Sequence, residues 1–104
     1  MDYTYFADLA AQVPEVPADS ILSRTLLTSD GLKVIVFKFA AGQELSEHTA
    51  SVPAIIHILS GAARLTLGSD SMEASAGAWA HMTARLPHSV LAKTPVTLLL
   101  LMLK

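Results

Sequence analysis

From Ser20 onward the apolar positions fall in short runs, most of them alternating with polar residues, and turn residues separate one run from the next. The runs are ILSRTLL, LKVIVFKFA, AIIHILS, ARLTLG, SMEAS, AWAHMT, HSVLA and VTLLLLMLK. Between them stand Ser29-Asp30-Gly31, Ala41-Gly42, Val52-Pro53, Ser60-Gly61, Gly68-Ser69-Asp70, Ala76-Gly77, Leu86-Pro87 and Lys93-Thr94-Pro95. Such spacing predicts an all-β sandwich or barrel, a two-sheet antiparallel structure of roughly nine to eleven strands. In ARLTLG, Arg64 and Thr66 alternate with Ala63, Leu65 and Leu67, the mark of a strand with one buried and one wet face. The last run is apolar on both sides of the pleat. One side is expected to face the core and the other a second subunit, since a bare face of large apolar residues invites association. A buried helix of the same composition is the alternative, though the run is short for one.

The first nineteen residues read differently. Tyr3, Tyr5 and Phe6 precede AQVPEVPADS, and aromatics at such density argue for an arm that packs on something. A short helical turn over 6–12 is expected, and Pro14 and Pro17 favour extended chain after it. The predicted organisation is therefore an N-terminal arm, 1–19, followed by one barrel domain, 20–104.

A chain of 104 residues holds one core. Hydrophobic residues make up 52% and charged residues 15%, fewer charges than the usual quarter, which again favours a homodimer. The formal charge is −2 and no segment gathers Lys or Arg, so nucleic acid and anionic lipid are not expected partners. Cysteine is absent, which removes disulfides and thiolate metal ligands and fits a reducing compartment. The start carries Asp2 and no basic region before an apolar stretch, and the longest apolar run, Leu98 to Leu103, is too short for a bilayer. A soluble cytoplasmic protein with no membrane partner is the expectation.

The chemistry lies in two glycine-bounded segments. Gly42, His48, Ala50, Ala54 and Gly61 carry the spacing of a metal-binding motif in the first, and Gly77, Thr83, Arg85, His88 and Ala92 that of a second. In these positions the chain resembles the cupin superfamily, small double-sheet barrels of jelly-roll, or double-stranded β-helix, type. The resemblance covers about Lys33 to Lys104, with ILSRTLL as a first strand. In metal-binding members the ligands are two histidines and a glutamate of the first motif and a histidine of the second. Only His48 and His88 match, because Ala50 and Ala54 stand at the other two positions. The resemblance thus implies a pocket of His48, Ala50, Ala54, Arg85 and His88, and either no cofactor or a divalent metal held weakly by His48 and His88.

Two neutral imidazoles at a barrel mouth can share a metal, act as acid or base, or hydrogen-bond a ligand. Two partly buried histidines satisfied by water and backbone are the plain alternative. Arg85 replaces a turn glycine beside the mouth, where a guanidinium can hold a carboxylate or phosphate by two prongs. His57 should point away from the Ala54 side of its strand, and His81 lies on the strand expected to pair with it. With Leu99 and Leu101 they form the predicted interface. Parity puts Glu44 on the His48 face, while a solvated loop is the simpler reading for Glu44 and Glu47. Trp79, Met82, Phe37 and Phe39 are expected in the core or pocket lining. No nucleophile motif is present.

The expected function is binding of a small molecule at a two-histidine pocket with an incomplete metal site. The alternative is a metal-dependent or histidine-base enzyme of dioxygenase, isomerase or epimerase type acting on a small organic substrate. A histidine base of the epimerase kind needs a tyrosine acid, and both tyrosines lie in the arm. A third reading is a structural protein whose pocket is filled by its own side chains.

Overall fold

The computed structural model describes residues 2–104; Met1 lies outside the described residues. Among the described residues nine strands follow one 3-10 turn, Ala10–Gln12: β1 (Ile21–Thr28), β2 (Leu32–Phe39), β3 (Glu44–His48), β4 (Ala54–Ser60), β5 (Ala62–Leu67), β6 (Asp70–Ser75), β7 (Trp79–Met82), β8 (His88–Ala92) and β9 (Val96–Leu103). They form a five-stranded sheet, β1-β2-β9-β4-β7, facing a four-stranded sheet, β3-β8-β5-β6. Every strand pairing is antiparallel. This is a double-sheet β-barrel of jelly-roll type. Among the described residues no helix is long and apolar enough to cross a membrane.

The alternation sorts side chains between core and surface. On β4, Ala54, Ile56 and Ile58 point inward, and on β8 His88, Val90 and Ala92 do so. All of these but His88 meet Phe39, Ala63, Leu65, Met82 and Leu98 in one apolar core between the sheets. Phe39 and Ile58 have no exposed surface, and full burial of such a side chain contributes about 1.5–3 kcal/mol.

Strand β9 uses both faces. Leu98 packs in the core between the sheets, whereas Leu99 packs with Val36 and Val13 on the outer face of the five-stranded sheet. Val13 belongs to the arm, so the chain itself supplies part of the cover that the LLLLML run demands. Lys38 Nζ donates to Val13 O at 2.8 Å and an Arg24 guanidinium N–H to Gln12 O at 2.9 Å, which fastens the arm to β2 and β1. Tyr3 and Tyr5, farther out on the arm, are 74% and 76% exposed.

Two expectations are corrected. Trp79 is 60% exposed, on the outer face opposite His57. Strand parity decides this, because Met82, three residues later, is buried inward. Glu44 and Glu47 lie in strand β3 and not in a loop. The register between β3 and β8 shifts by one residue between Leu45 and His48. That bulge aligns Glu44 with Leu91 while Leu45 faces Val90 and His48 faces His88, so Glu44 and His48 project to opposite sides.

Candidate functional site at the histidine mouth

One end of the barrel gathers the loops 49–53, 68–69 and 83–87, the start of β2 and the end of β9. The first and last of these loops are tied together by the Arg85 N–H, which donates to Ala50 O at 2.7 Å. Inward positions near this end, Ile35, Phe37, Leu100 and Met102, are only half-buried. Their counterparts at the far end, Phe39, Ile58, Ala63, Ala92 and Val96, are sealed. The inward side chains are therefore less covered at this end than at the other, and those named are apolar.

His48 and His88 face each other across the β3–β8 ladder. Their ring centroids are 4.1 Å apart with 60° between the planes. His88 is buried at 6% exposure and His48 is exposed. Each ring is held by its own backbone. Nδ1 of His48 lies 2.7 Å from Ser46 O, and Nδ1 of His88 lies 2.8 Å from Leu86 O. A carbonyl oxygen only accepts, so each Nδ1 carries the proton and donates. The lone pair of each neutral ring is then on Nε2. Orientation through the other nitrogen is how proteins prepare a histidine to bind a metal or accept a hydrogen bond.

The remaining predicted residues surround this pair unevenly. Ala50 is half-buried in the 49–53 loop. Ala54 is 3% exposed, with Met82 and Met102 as its ladder partners on either side. Arg85 is exposed and adopts φ 66. A side chain in that left-handed region costs about 1–2 kcal/mol. The loop thus keeps a conformation suited to glycine while carrying a guanidinium. Among the described residues Arg85 has no carboxylate partner; the ion pairs are Arg64–Glu73 and Lys93–Glu73.

His57 and His81 share the outer face of the five-stranded sheet but are not directly opposite, since His57 pairs with Trp79 and Ile55 with His81. Among the described residues no group of three or more His, Asp or Glu side chains is assembled as a metal ligand set. Sequence reasoning had no signal for a cleft at the sealed end, lined by arm residues and by the β2 and β9 ends. It arises where distant segments meet.

Residues 35–103 match the family model described as a cupin domain. No curated protein matches the chain. Among solved structures, a conserved protein of unknown function from Streptococcus pyogenes is 31% identical with a TM-score of 0.85, over 100% of this chain and 90% of that one. A cupin superfamily protein from Desulfitobacterium hafniense is 25% identical with a TM-score of 0.84, over 91% of this chain and 86% of that one. The DMSP lyase DddQ from Ruegeria pomeroyi shares the fold at 22% identity and a TM-score of 0.77, over 83% of this chain and 48% of that one.

Proposed function

The chain belongs to the cupin family, and from that premise we propose that it binds a small organic molecule at the His48–His88 mouth, with Arg85 holding an acidic group of the ligand. The observation that carries this reading is the pair of imidazoles whose Nδ1 atoms are committed to backbone carbonyls, leaving two Nε2 acceptors at the less covered end of the barrel. A concave apolar site with a few convergent polar groups is the usual form of a small-molecule pocket. Ala50 and Ala54 complete the proposed lining.

The donor set does not fit a resident metal. Catalytic zinc sites supply three protein ligands, and here two nitrogens are offered with no carboxylate beside them. A complete structural zinc site contributes on the order of 10–16 kcal/mol; half of that corresponds to roughly micromolar to millimolar affinity. The same Nε2 lone pairs favour the enzymatic reading only in that a free imidazole is a competent base. The tyrosine acid of that reading has no support in the arm, which lines a groove with Leu59 and Ser60 at the far end of β4.

The proposal includes a homodimer through the outer face of the five-stranded sheet, where Ile55, His57 and Leu101 are half-buried, His81 is exposed, and Trp79 stands clear of the barrel. Leu99 belongs to this face, but its cover by Val13 makes Leu101→Asp the cleaner test. That variant should be monomeric by light scattering while the parent is dimeric; a monomeric parent removes this part of the proposal.

The central test is a histidine-ring NMR titration with a panel of small organic acids and their amides, beside metal analysis of untagged protein. Acids should move the Nε2 signals of His48 and His88, and Arg85→Gly should weaken acids but not amides. Stoichiometric metal that survives a chelator and vanishes in both His48→Ala and His88→Ala would restore the metalloenzyme. Silence of both rings throughout the panel would reject the binding reading.

A further inference from the structure

At the sealed end, the arm crosses from the outer face of the five-stranded sheet to the start of β1, and beneath it lies a cleft of about 490 Å³, within the range of small-molecule sites. Its walls are apolar where Val16, Ala18, Ala41 and Pro95 line it, and polar where Lys38, Thr97, Glu15 and Asp19 do.

Lys38 and Thr97 are direct ladder partners on β2 and β9. The Lys38 ammonium is part-buried and held in place by its bond to Val13 O, with two N–H groups left over. Thr97 is 8% exposed, yet among the described residues its hydroxyl makes no hydrogen bond. Among the described residues no side-chain oxygen fully sealed from solvent is without a partner, so this hydroxyl keeps its open side toward the cleft it lines. Glu15 and Asp19, both exposed, border the cleft on the arm and form no ion pair among the described residues.

A cation and a free hydroxyl on the strands, two unpaired carboxylates on the arm and an aliphatic wall between them form a set with a specific complement. We propose that this cleft is a second ligand site, for a small zwitterion with an aliphatic body, of the α-amino acid class. The ligand carboxylate accepts from Lys38 and Thr97, its ammonium donates to Glu15 or Asp19, and its side chain lies on Val16, Ala18 and Pro95. An acid lacking the ammonium meets two repelling carboxylates. An amine lacking the carboxylate leaves Lys38 and Thr97 unanswered.

The test is an amide-resolved NMR titration of the full chain with L-leucine, isocaproate and isoamylamine, each to about 10 mM. L-leucine should shift the amides of Asp19, Ala40, Ala41 and Thr97, while the two controls produce little at these amides, whatever a carboxylate does at the His48 and His88 rings. Thr97→Val keeps the shape and the strand and should weaken L-leucine by about fivefold to tenfold, the loss of one hydrogen bond. Lys38→Met should weaken it further, with the dispersion of the barrel amides reporting that the fold survives. An absence of shifts at the cleft, controls that shift the cleft amides as strongly as L-leucine, or a Thr97→Val variant that binds unchanged there would each overturn the assignment.

Discussion

The two ends of this barrel are made by the same nine strands, and they divide the work. At the sealed end the links between strands are short, Gly42, Gly61 and Gly77 take positive φ, and the inward side chains are fully buried. The ion pairs of Glu73 with Arg64 and Lys93 also reach that end, through the turn after β8. At the mouth the loops 49–53 and 83–87 are longer, a strained arginine replaces glycine, and the inner wall is half-open. Rigid turns at one end hold strand ends in register, which lets the other end carry polar groups that contribute little to folding. The difference teaches that stability and binding chemistry in a small barrel are separable along its axis, and substitutions at the two ends should expose the separation.

The largest effect belongs to the sealed end. A Cβ placed on Gly61 would lie 2.1 Å from Pro95 O, at φ 89. Both the left-handed backbone and the collision with main chain oppose it, so Gly61→Ala should cost at least about 3 kcal/mol. Gly42→Ala meets nothing within 4 Å and should cost only the conformational term, about 1–2 kcal/mol. Urea unfolding measures both. Equal losses would mean that the contact with Pro95 is not what closes this end.

At the mouth the two histidines should part company. His88 is buried against its partner and bonded to Leu86 O, and His88→Ala should cost about 1–3 kcal/mol. His48 is exposed, and His48→Ala should leave stability within about 0.5 kcal/mol while removing half of the proposed ligand contact. A His48→Ala variant as damaged as His88→Ala would make the pair structural and erase the contrast between the ends.

Arg85→Gly works in the opposite direction from the other substitutions. Relief of the left-handed strain at φ 66 should raise stability by up to about 1 kcal/mol and weaken acidic ligands at the mouth. A variant that gains stability and keeps its ligand affinity would show that the guanidinium does nothing there.

Most of this architecture is legible in the alternation, because a pleated strand with one buried face writes its facing into every second residue. Every strand except β3 coincides with an apolar run. QELSEH was unreadable as a strand because Leu45 is the one aliphatic residue in it, and its bulge breaks the parity that would have placed Glu44. The size of Trp79 favours the core, but parity with Met82 puts it outside. The facing of Leu99 was legible, but the identity of its cover was not, since Val13 reaches it through an arm of no regular pattern. The spacing of His48 and His88 pointed to the mouth. Their tautomers depend on carbonyls two residues back, and the cleft under the arm depends on segments far apart in sequence. Neither has a local signal.

The smallest expected effect concerns the ion pairs of the sealed end. Glu73 has its pKa lowered by hydrogen bonds from Lys93 and then Arg64, on a solvent-exposed surface where screening keeps such pairs weak. A depressed carboxyl favours the folded state when ionised. Its contribution is therefore complete above the ordinary glutamate range and is lost as pH falls through the lower, folded value. Lys93 and Thr94 donate their amides to Ala62 O, so release of the Lys93 side chain should loosen this turn first. Amide-exchange protection at Lys93 and Thr94, corrected for intrinsic rates, should decline toward acid in the parent and stay flat in Glu73→Gln. Protection around His88 should not follow it, because no carboxylate pairs with the mouth histidines. A parallel decline at both ends in the parent alone would show that Glu73 supports the whole barrel, and that the two ends are less separable than their construction suggests.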